Sequence, residues 1–193
     1  MTVVDRGVYM MLEDMSKEEL WELFPIHFTD YDERFKKSYL DEEKILKSLI
    51  GKYLIRISHI GSTSIKNIKT KPIVDILIEI DFDDKNMVKA ILLNSDYVLM
   101  SDASDRISFN KGYTINGYAD HVFHVHIKEY GDCDELYFRD YLNDNFSKAK
   151  EYEQLKLELY HKYKPNRDLY TEGKSQFVTD IVNAAKAEYK GKY

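Results

Sequence analysis

The chain has 193 residues and a net charge of −6, with 44% hydrophobic and 32% charged residues. This composition is typical of a globular protein, and the negative charge disfavours general binding to a nucleic-acid backbone. No apolar run reaches the roughly 18 to 20 residues of a membrane span, and we expect no signal peptide. Cys133 is the only cysteine, which excludes an intramolecular disulfide and favours a cytoplasmic protein.

The first fifty residues are predicted to be mainly helical. Ser16 and Glu19 have the spacing of a capping box and predict a short helix that ends before Pro25. A longer helix is expected from about residue 32 to residue 50, because apolar residues recur there at helical spacing. Gly51 follows the last of them and is a typical helix terminator.

The middle of the chain has the alternation of strands, and the last third has the periodicity of helices. Strands are predicted over residues 53–58, 72–80, 97–100, 106–111 and 120–128. Helices are predicted over residues 84–94, 134–143, 147–163 and 171–189, with a short helical link over residues 63–70. This order indicates an α+β fold with a mixed β-sheet flanked by N- and C-terminal helices.

The Gly61-Ser62 turn and Asp75 are the first candidate site. Glycine allows close approach of a ligand, and N–H groups exposed at a turn bind phosphate well. Asp75 lies on the strand opposite a row of aliphatic side chains, where a carboxylate requires water, a cation or a partner. A purely structural turn would use the same residues, so both interpretations stay open. Glu79 lies about 13 Å further along the strand and is expected to be structural or exposed to solvent.

His124 and His126 are the second candidate. They lie two residues apart on a predicted strand, so both imidazoles project from one face, roughly 6 to 7 Å apart at the backbone. This spacing suits two ligands of one metal ion or two contacts to one phosphate. The alternative is a pair of half-exposed histidines bonded to their neighbours. His59 is a further candidate member of the group.

Arg139 and Lys156, on two predicted helices, are candidate contacts to phosphate groups. Arg139 lies close to the apolar side of its helix, where either Asp140 or a ligand phosphate could hold it. On most helices such a cation is simply solvated.

Four short motifs together resemble the GrpB family of nucleotidyltransferase-like proteins. They are His59-Ile-Gly-Ser-Thr-Ser64, Lys71-Pro-Ile-Val-Asp-Ile76, His124-Val-His126 and Phe138-Arg-Asp-Tyr-Leu142. The resemblance runs from about residue 25 to residue 187. It implies a minimal nucleotidyltransferase-like fold over residues 25–193, with residues 1–24 as an N-terminal extension that contains a short helix.

The resemblance also implies a site for a nucleotide or another phosphate-containing small molecule. The predicted phosphate-binding residues are Gly61, Ser62, Thr63, Ser64 and Lys71. The predicted metal ligands are Asp75, His124 and His126, for a divalent ion such as Mg²⁺, Mn²⁺ or Zn²⁺. Asp75 and Arg139 are the predicted catalytic residues.

Two departures from the pattern keep an enzyme and a non-catalytic module both open. Active nucleotidyltransferases usually carry a second carboxylate where this chain has Leu77, and imidazoles stand where a later carboxylate is expected. Mg²⁺ prefers oxygen ligands, so these imidazoles disfavour standard two-magnesium chemistry. The family also usually has Pro-Gly where this chain has Lys66-Asn67. One hypothesis is therefore nucleotidyl or phosphoryl transfer, and the other is a degenerate module that binds a nucleotide, a coenzyme or a protein partner.

Overall fold

The computed structural model describes residue 12 and residues 14–193. Residues 1–11 and residue 13 of the predicted N-terminal extension therefore lie outside the described residues. A five-stranded mixed sheet forms the centre, in the order β1-β2-β5-β4-β3. Its strands are β1 (Leu54–Ile60), β2 (Val74–Ile80), β3 (Val98–Asp102), β4 (Arg106–Thr114) and β5 (Gly117–Glu129). Strands β2 and β5 are parallel, and the other neighbours are antiparallel.

Helices precede, interrupt and follow the sheet. They are α1 (Lys17–Leu23), α2 (Arg34–Ile50), α3 (Lys85–Leu93), α4 (Asp134–Asp144), α5 (Phe146–Tyr163), α6 (Arg167–Glu172) and α7 (Ser175–Glu188). The Ser16–Glu19 capping box at the start of α1 is present, as predicted. The expected α+β architecture with a mixed sheet is therefore confirmed.

One face of the sheet forms the main hydrophobic core. Ile76 and Ile78 of β2 are fully buried there, as is Val125 of β5. Helices α2 and α3 supply Leu46, Ile50, Val88 and Leu92 to the same cluster. Because side chains alternate along a strand, the polar residues between these aliphatic ones must project from the opposite face.

The opposite face is covered by the C-terminal helices. Leu77 is fully buried in a cluster with Leu136 and Tyr137 of α4 and Ala185 of α7. The position at which a second carboxylate was expected is thus filled by apolar packing. Nearer the start of β2, the same face is less covered and leaves Asp75 partly exposed.

Glu79 lies in a buried ion pair. Its side chain is fully buried, and one carboxylate oxygen accepts a hydrogen bond of 2.6 Å from Arg56 on the neighbouring strand. The other carboxylate oxygen pairs with the same guanidinium, and the Gly131 N–H donates a hydrogen bond of 3.0 Å to this carboxylate. Of the two roles expected for Glu79, the structure supports the structural one.

Two predicted helical segments are wrong in detail. The helix expected over residues 171–189 is two helices, α6 and α7, which are separated by Gly173 and Lys174. A side chain at Gly173 would place its Cβ 2.5 Å from Leu159 of α5, so the absence of a side chain at Gly173 allows this residue to pack closely against α5. In the link over residues 63–70, the helical part is one 3-10 turn, Ser62–Ser64.

Within the described residues, no helix has both the length and the apolar character needed to cross a membrane.

Candidate functional site

Asp75, His124 and His126 lie together on the face of the sheet that carries the C-terminal helices. The parallel pairing of β2 and β5 places Asp75 opposite His124 and Leu77 opposite His126. Asp75 Oδ1 is 3.1 Å from His124 Nδ1 and 3.8 Å from His126 Nε2. The parity of the two strands and their in-register pairing therefore bring together the three residues that the sequence singled out.

The contacts of Asp75 and His124 indicate the charge of the carboxyl group and the protonation state of the imidazole. Burial opposes ionisation of Asp75, but hydrogen bonds and charge from His124 and His126 outweigh it and hold the pKa of this carboxyl well below its usual range. Burial lowers the pKa of His124, and Asp75 offsets this only in part. We therefore assign an ionised Asp75 and a neutral His124 that donates its Nδ1–H to the carboxylate.

Tyr113 extends this pair into a chain of three groups. Its hydroxyl is 2.7 Å from His124 Nε2, and the two rings are stacked with centroids 5.9 Å apart. A neutral imidazole that donates from Nδ1 accepts at Nε2, so the Tyr113 hydroxyl is the donor. Burial is the main reason that the pKa of Tyr113 is raised, which keeps this phenol protonated. Tyr113 was not among the predicted site residues.

Position 61 requires a glycine because of its close contact with Asp75. It has a φ of +69°, a conformation that glycine adopts readily. A Cβ built on Gly61 would lie 2.1 Å from Asp75 Oδ2. The glycine thus allows the turn after β1 to approach the carboxylate, and the predicted proximity of this turn to Asp75 is present.

The hydroxyl groups of the turn hold it together. Thr63 is buried and donates to the Ile73 carbonyl at 3.2 Å, and Ser64 Oγ donates to the Gly61 carbonyl at 2.6 Å. Ser62 Oγ is hydrogen-bonded to the Thr70 hydroxyl. These contacts give the three side chains structural roles. The groups of this segment that could bind phosphate are the backbone N–H groups at the start of the 3-10 turn, because they have no partner within that turn.

His59 is part of the same support. Its Nε2 is 2.9 Å from Thr63 Oγ1, and its ring stacks on Tyr39 with centroids 5.0 Å apart. Burial lowers the pKa of His59 to about 4. His59 is therefore a neutral packing residue at neutral pH.

Lys71 approaches the site from the segment before β2. Burial and the positive charges of Lys174 and Arg167 lower the pKa of Lys71 to about 7, while Asp75 acts in the opposite direction. The Lys71 ammonium lies 5.6 Å from the centre of the Tyr170 ring. A cavity of about 200 Å³ opens beside it, lined also by His27, Tyr118 and Val122. Lys71 lines this cavity, whereas Asp75, His124 and His126 do not. The cavity therefore adjoins the site at Lys71.

Arg139 is held by protein groups. Its Nε donates to Asp140 at 2.7 Å, one terminal nitrogen donates to the His59 carbonyl at 3.0 Å, and the other donates to the Tyr193 hydroxyl at 3.0 Å. These contacts join α4 to β1 and to the C-terminal residues. They give Arg139 a structural role, and its predicted catalytic role has no support from this geometry.

The arrangement of Asp75, His124 and His126 does not fit a divalent metal ion as it stands. His124 uses both ring nitrogens in hydrogen bonds, to Asp75 and to Tyr113. His126 Nδ1 is 3.3 Å from Ser108 Oγ. In the part of the chain that the structure describes, no group of three His, Cys, Asp or Glu side chains has the placement of a metal site. The close contacts of His124 are donor-to-acceptor pairs, which a metal ion would have to replace.

Comparison with known proteins identifies the family. The model of the family described as GrpB protein matches residues 25–184. The glutamate-rich protein GrpB of Alkalihalophilus pseudofirmus is 33% identical over 164 residues, which cover 79% of this chain and 91% of that protein. The UPF0157 protein YqkA of Bacillus subtilis is 31% identical over 84% of this chain, and the match covers 48% of the length of YqkA.

A solved structure agrees with these relatives. The crystal structure of conserved protein GrpB from Enterococcus faecalis has a TM-score of 0.73 and 26% sequence identity, and the match covers 84% of this chain and 99% of that one. Sequence and fold thus agree over the sheet and its surrounding helices. This chain belongs to the GrpB protein family.

Proposed function

We propose that this chain binds a phosphate-containing small molecule, such as a nucleotide, beside the first residues of β2. The observation that carries this proposal is the convergence of Asp75, His124 and the partly buried Lys71 next to the Gly61 turn. Lys71 is a cation in a desolvated position, where a bound anion would stabilise its charged form. The sharp turn at Gly61 supplies backbone N–H groups on the same side.

The Asp75–His124 pair supports a catalytic extension of this proposal. An ionised carboxylate that orients an imidazole through Nδ1 leaves Nε2 to take a proton, which is the arrangement of a general base. In the proposed reaction, His124 Nε2 accepts the proton of a hydroxyl group that attacks phosphorus. The bond from phosphorus to the leaving phosphate oxygen breaks, and the leaving group departs with the bonding electron pair. In the unliganded protein, the Tyr113 hydroxyl occupies the position beside His124 Nε2 that the substrate hydroxyl would take. Nucleotidyl or phosphoryl transfer is therefore the proposed activity.

The alternative is a module that binds the same ligand without turnover. The burial of Leu77 at the position of the missing carboxylate favours this alternative. A divalent metal held by Asp75, His124 and His126 also stays a prediction. It requires loss of the hydrogen bonds that these side chains make to each other and to Tyr113.

The first experiment is a thermal-shift titration with inorganic phosphate and with nucleoside mono-, di- and triphosphates, each with and without Mg²⁺, Mn²⁺ or Zn²⁺. We expect a saturable rise in melting temperature for wild-type protein and a loss of this rise in Lys71→Gln. Lys66→Gln is the matched control, because Lys66 is an exposed lysine of the same loop. If no anion stabilises the wild-type protein, the proposal is wrong.

Asp75→Asn separates direct anion binding from metal-bridged binding. Removal of a negative charge beside Lys71 is expected to maintain or strengthen phosphate binding when lysines hold the anion directly. The same variant loses phosphate binding if a metal ion bridges the carboxylate and the phosphate. Turnover of a labelled nucleotide that disappears in His124→Gln would then support the enzyme, and binding without turnover would support the module.

A further inference from the structure

Three more cations surround Lys71 on the side of the C-terminal helices. Lys156 of α5 is 2% exposed and donates a hydrogen bond of 2.6 Å from Nζ to the Lys69 carbonyl. Lys174, between α6 and α7, places its ammonium 4.6 Å from the centre of the Tyr170 ring. Arg167, at the start of α6, donates to the Phe24 carbonyl at 3.1 Å. We call Lys156, Arg167, Lys174 and Tyr170 the C-terminal cluster.

The Tyr170 hydroxyl is a buried polar group that lacks a partner. Tyr170 is 1% exposed, and no hydrogen-bond partner for its hydroxyl exists among the described residues. Buried polar groups are nearly always hydrogen-bonded, so an exception requires an explanation such as a ligand. The two lysines over the Tyr170 ring place this hydroxyl within a positively charged environment.

The charges of this region are unbalanced. Burial, together with the positive charges of Lys174 and Lys71, lowers the pKa of Lys156 to about 7, while Glu153 acts in the opposite direction. Burial also lowers the pKa of Lys174, against which Asp75 acts through its charge. The carboxylates that act on these lysines already have partners: Asp75 is bonded to His124, and Glu153 accepts hydrogen bonds from the Lys69 N–H and from Lys150. Lys156 is buried, and Lys71 and Lys174 are partly buried, whereas buried cations normally require paired anions.

We infer that the C-terminal cluster is a second anion subsite, adjacent to the subsite at Lys71, and that together they hold the two linked phosphoryl groups of a diphosphate. The Tyr170 hydroxyl donates to one phosphoryl oxygen, and Lys174 and Arg167 neutralise the second group. This inference rests on the proposed function, since Lys71 serves both subsites. It limits the ligand class to pyrophosphate and molecules that contain a diphosphate, such as nucleoside diphosphates.

The test compares the affinities of pyrophosphate, inorganic phosphate and ADP by isothermal titration calorimetry at constant ionic strength. We expect wild-type protein to bind pyrophosphate at least tenfold more tightly than phosphate. Lys174→Gln should bring this ratio close to one, because pyrophosphate loses a cation of the second subsite while Lys71 still binds phosphate. Lys164→Gln is the control, because Lys164 is an exposed lysine ahead of α6. Preference for ADP over pyrophosphate would support a nucleoside diphosphate, and the reverse would support free pyrophosphate.

Tyr170→Phe gives an independent readout. It keeps the ring and deletes the unpartnered hydroxyl, so the unliganded protein should melt at the same temperature or higher. The same change should weaken pyrophosphate binding several-fold. If wild-type protein binds phosphate and pyrophosphate equally, or if both variants keep the preference for pyrophosphate, this inference is wrong while the proposed function stands. If neither anion binds, the proposed function itself fails.

Discussion

Gly61 has two requirements that few other residues could meet. Its backbone has a positive φ, and the space that a Cβ would fill is occupied by the Asp75 carboxylate. The first requirement is one of conformation, and the second is one of volume. Two glycine variants, one at Gly61 and one at a glycine with positive φ but free space, distinguish the conformational requirement from the requirement for space beside Asp75.

We expect Gly61→Ala to lower the free energy of unfolding by about 1–3 kcal/mol and to abolish phosphate binding, because the methyl group displaces Asp75. Urea unfolding and thermal-shift titration measure the two effects. Gly131→Ala is the matched control, since Gly131 also has a positive φ but a Cβ added there would have no neighbouring atom within 4 Å. It should cost about 1 kcal/mol and keep ligand binding. Equal behaviour of the two variants would contradict the contact argument.

Individual residues also show where sequence reasoning is sufficient. Asp75 and His124 could be selected from the sequence because each interrupts the pattern of an apolar strand, but the pairing of β2 with β5 is what places them side by side. Glu79 looked similar, but its partner Arg56 lies on another strand. The burial of Glu79 therefore depends on strand pairing, which alternation alone does not specify.

At the scale of elements, α4 is fixed to the sheet through Arg139. Its guanidinium contacts a side chain of its own helix, a carbonyl at the end of β1 and the hydroxyl of Tyr193. The catalytic role predicted for Arg139 and this structural role lead to different outcomes on mutation.

Arg139→Gln is expected to destabilise the protein by about 1–3 kcal/mol, because a partly buried carboxylate and carbonyl lose a charged donor. It should leave the affinity for phosphate within about twofold of wild type. Urea unfolding and calorimetry at a temperature where both proteins are folded provide the comparison. A folded variant that no longer binds phosphate would restore the role predicted from the sequence.

The elements themselves were largely predictable. Strands β2 and β5 have long aliphatic alternation, and helices α2, α4 and α5 have clear periodicity, so their existence and type follow from the pattern. The division between α6 and α7 does not, because it depends on the packing of Gly173 against Leu159. The short 3-10 turn after β1 likewise depends on tertiary hydrogen bonds of its hydroxyl groups.

At the scale of the whole molecule, the cations of the candidate site come from distant parts of the chain. Lys71 precedes β2, whereas Lys156, Arg167 and Lys174 belong to the C-terminal helical region. The docking of these helices onto the sheet creates the excess of positive charge. Of this cluster, the sequence singled out Lys156 as a candidate contact to phosphate. Arg167 and Lys174 were not selected, because lysine and arginine on helices are usually solvated.

Anion binding should be coupled to proton uptake. Burial and neighbouring cations bring the pKa of Lys71 and of Lys156 to about 7, so a bound anion stabilises their protonated forms. Affinity is therefore expected to fall as pH rises from 7 to 9. Sulfate is the suitable probe, because its charge is constant over this range. The rise in melting temperature that sulfate produces should shrink accordingly, and Lys156→Met should flatten the dependence.

The stability of the unliganded protein should have the opposite dependence. These lysines have folded-state pKa values below their unfolded values, so the unfolded state binds more protons between about pH 7 and pH 10. Their contribution to stability is complete above this window and is lost as pH falls through it. Urea unfolding at pH 7, 8 and 9 measures this slope. If the rise in melting temperature caused by sulfate instead grew with pH, the assignment of Lys71 and Lys156 as the anion-binding lysines would be wrong.

The Tyr170 ring contacts both Lys71, which precedes β2, and Lys174, which lies between α6 and α7. A folding chain that has formed the Gly61 turn but has not yet docked α6 and α7 lacks one of these two lysines at the site. The proposed diphosphate would therefore be captured only after these helices have docked on the sheet. It would then act as a clasp between the middle of the chain and this helical region.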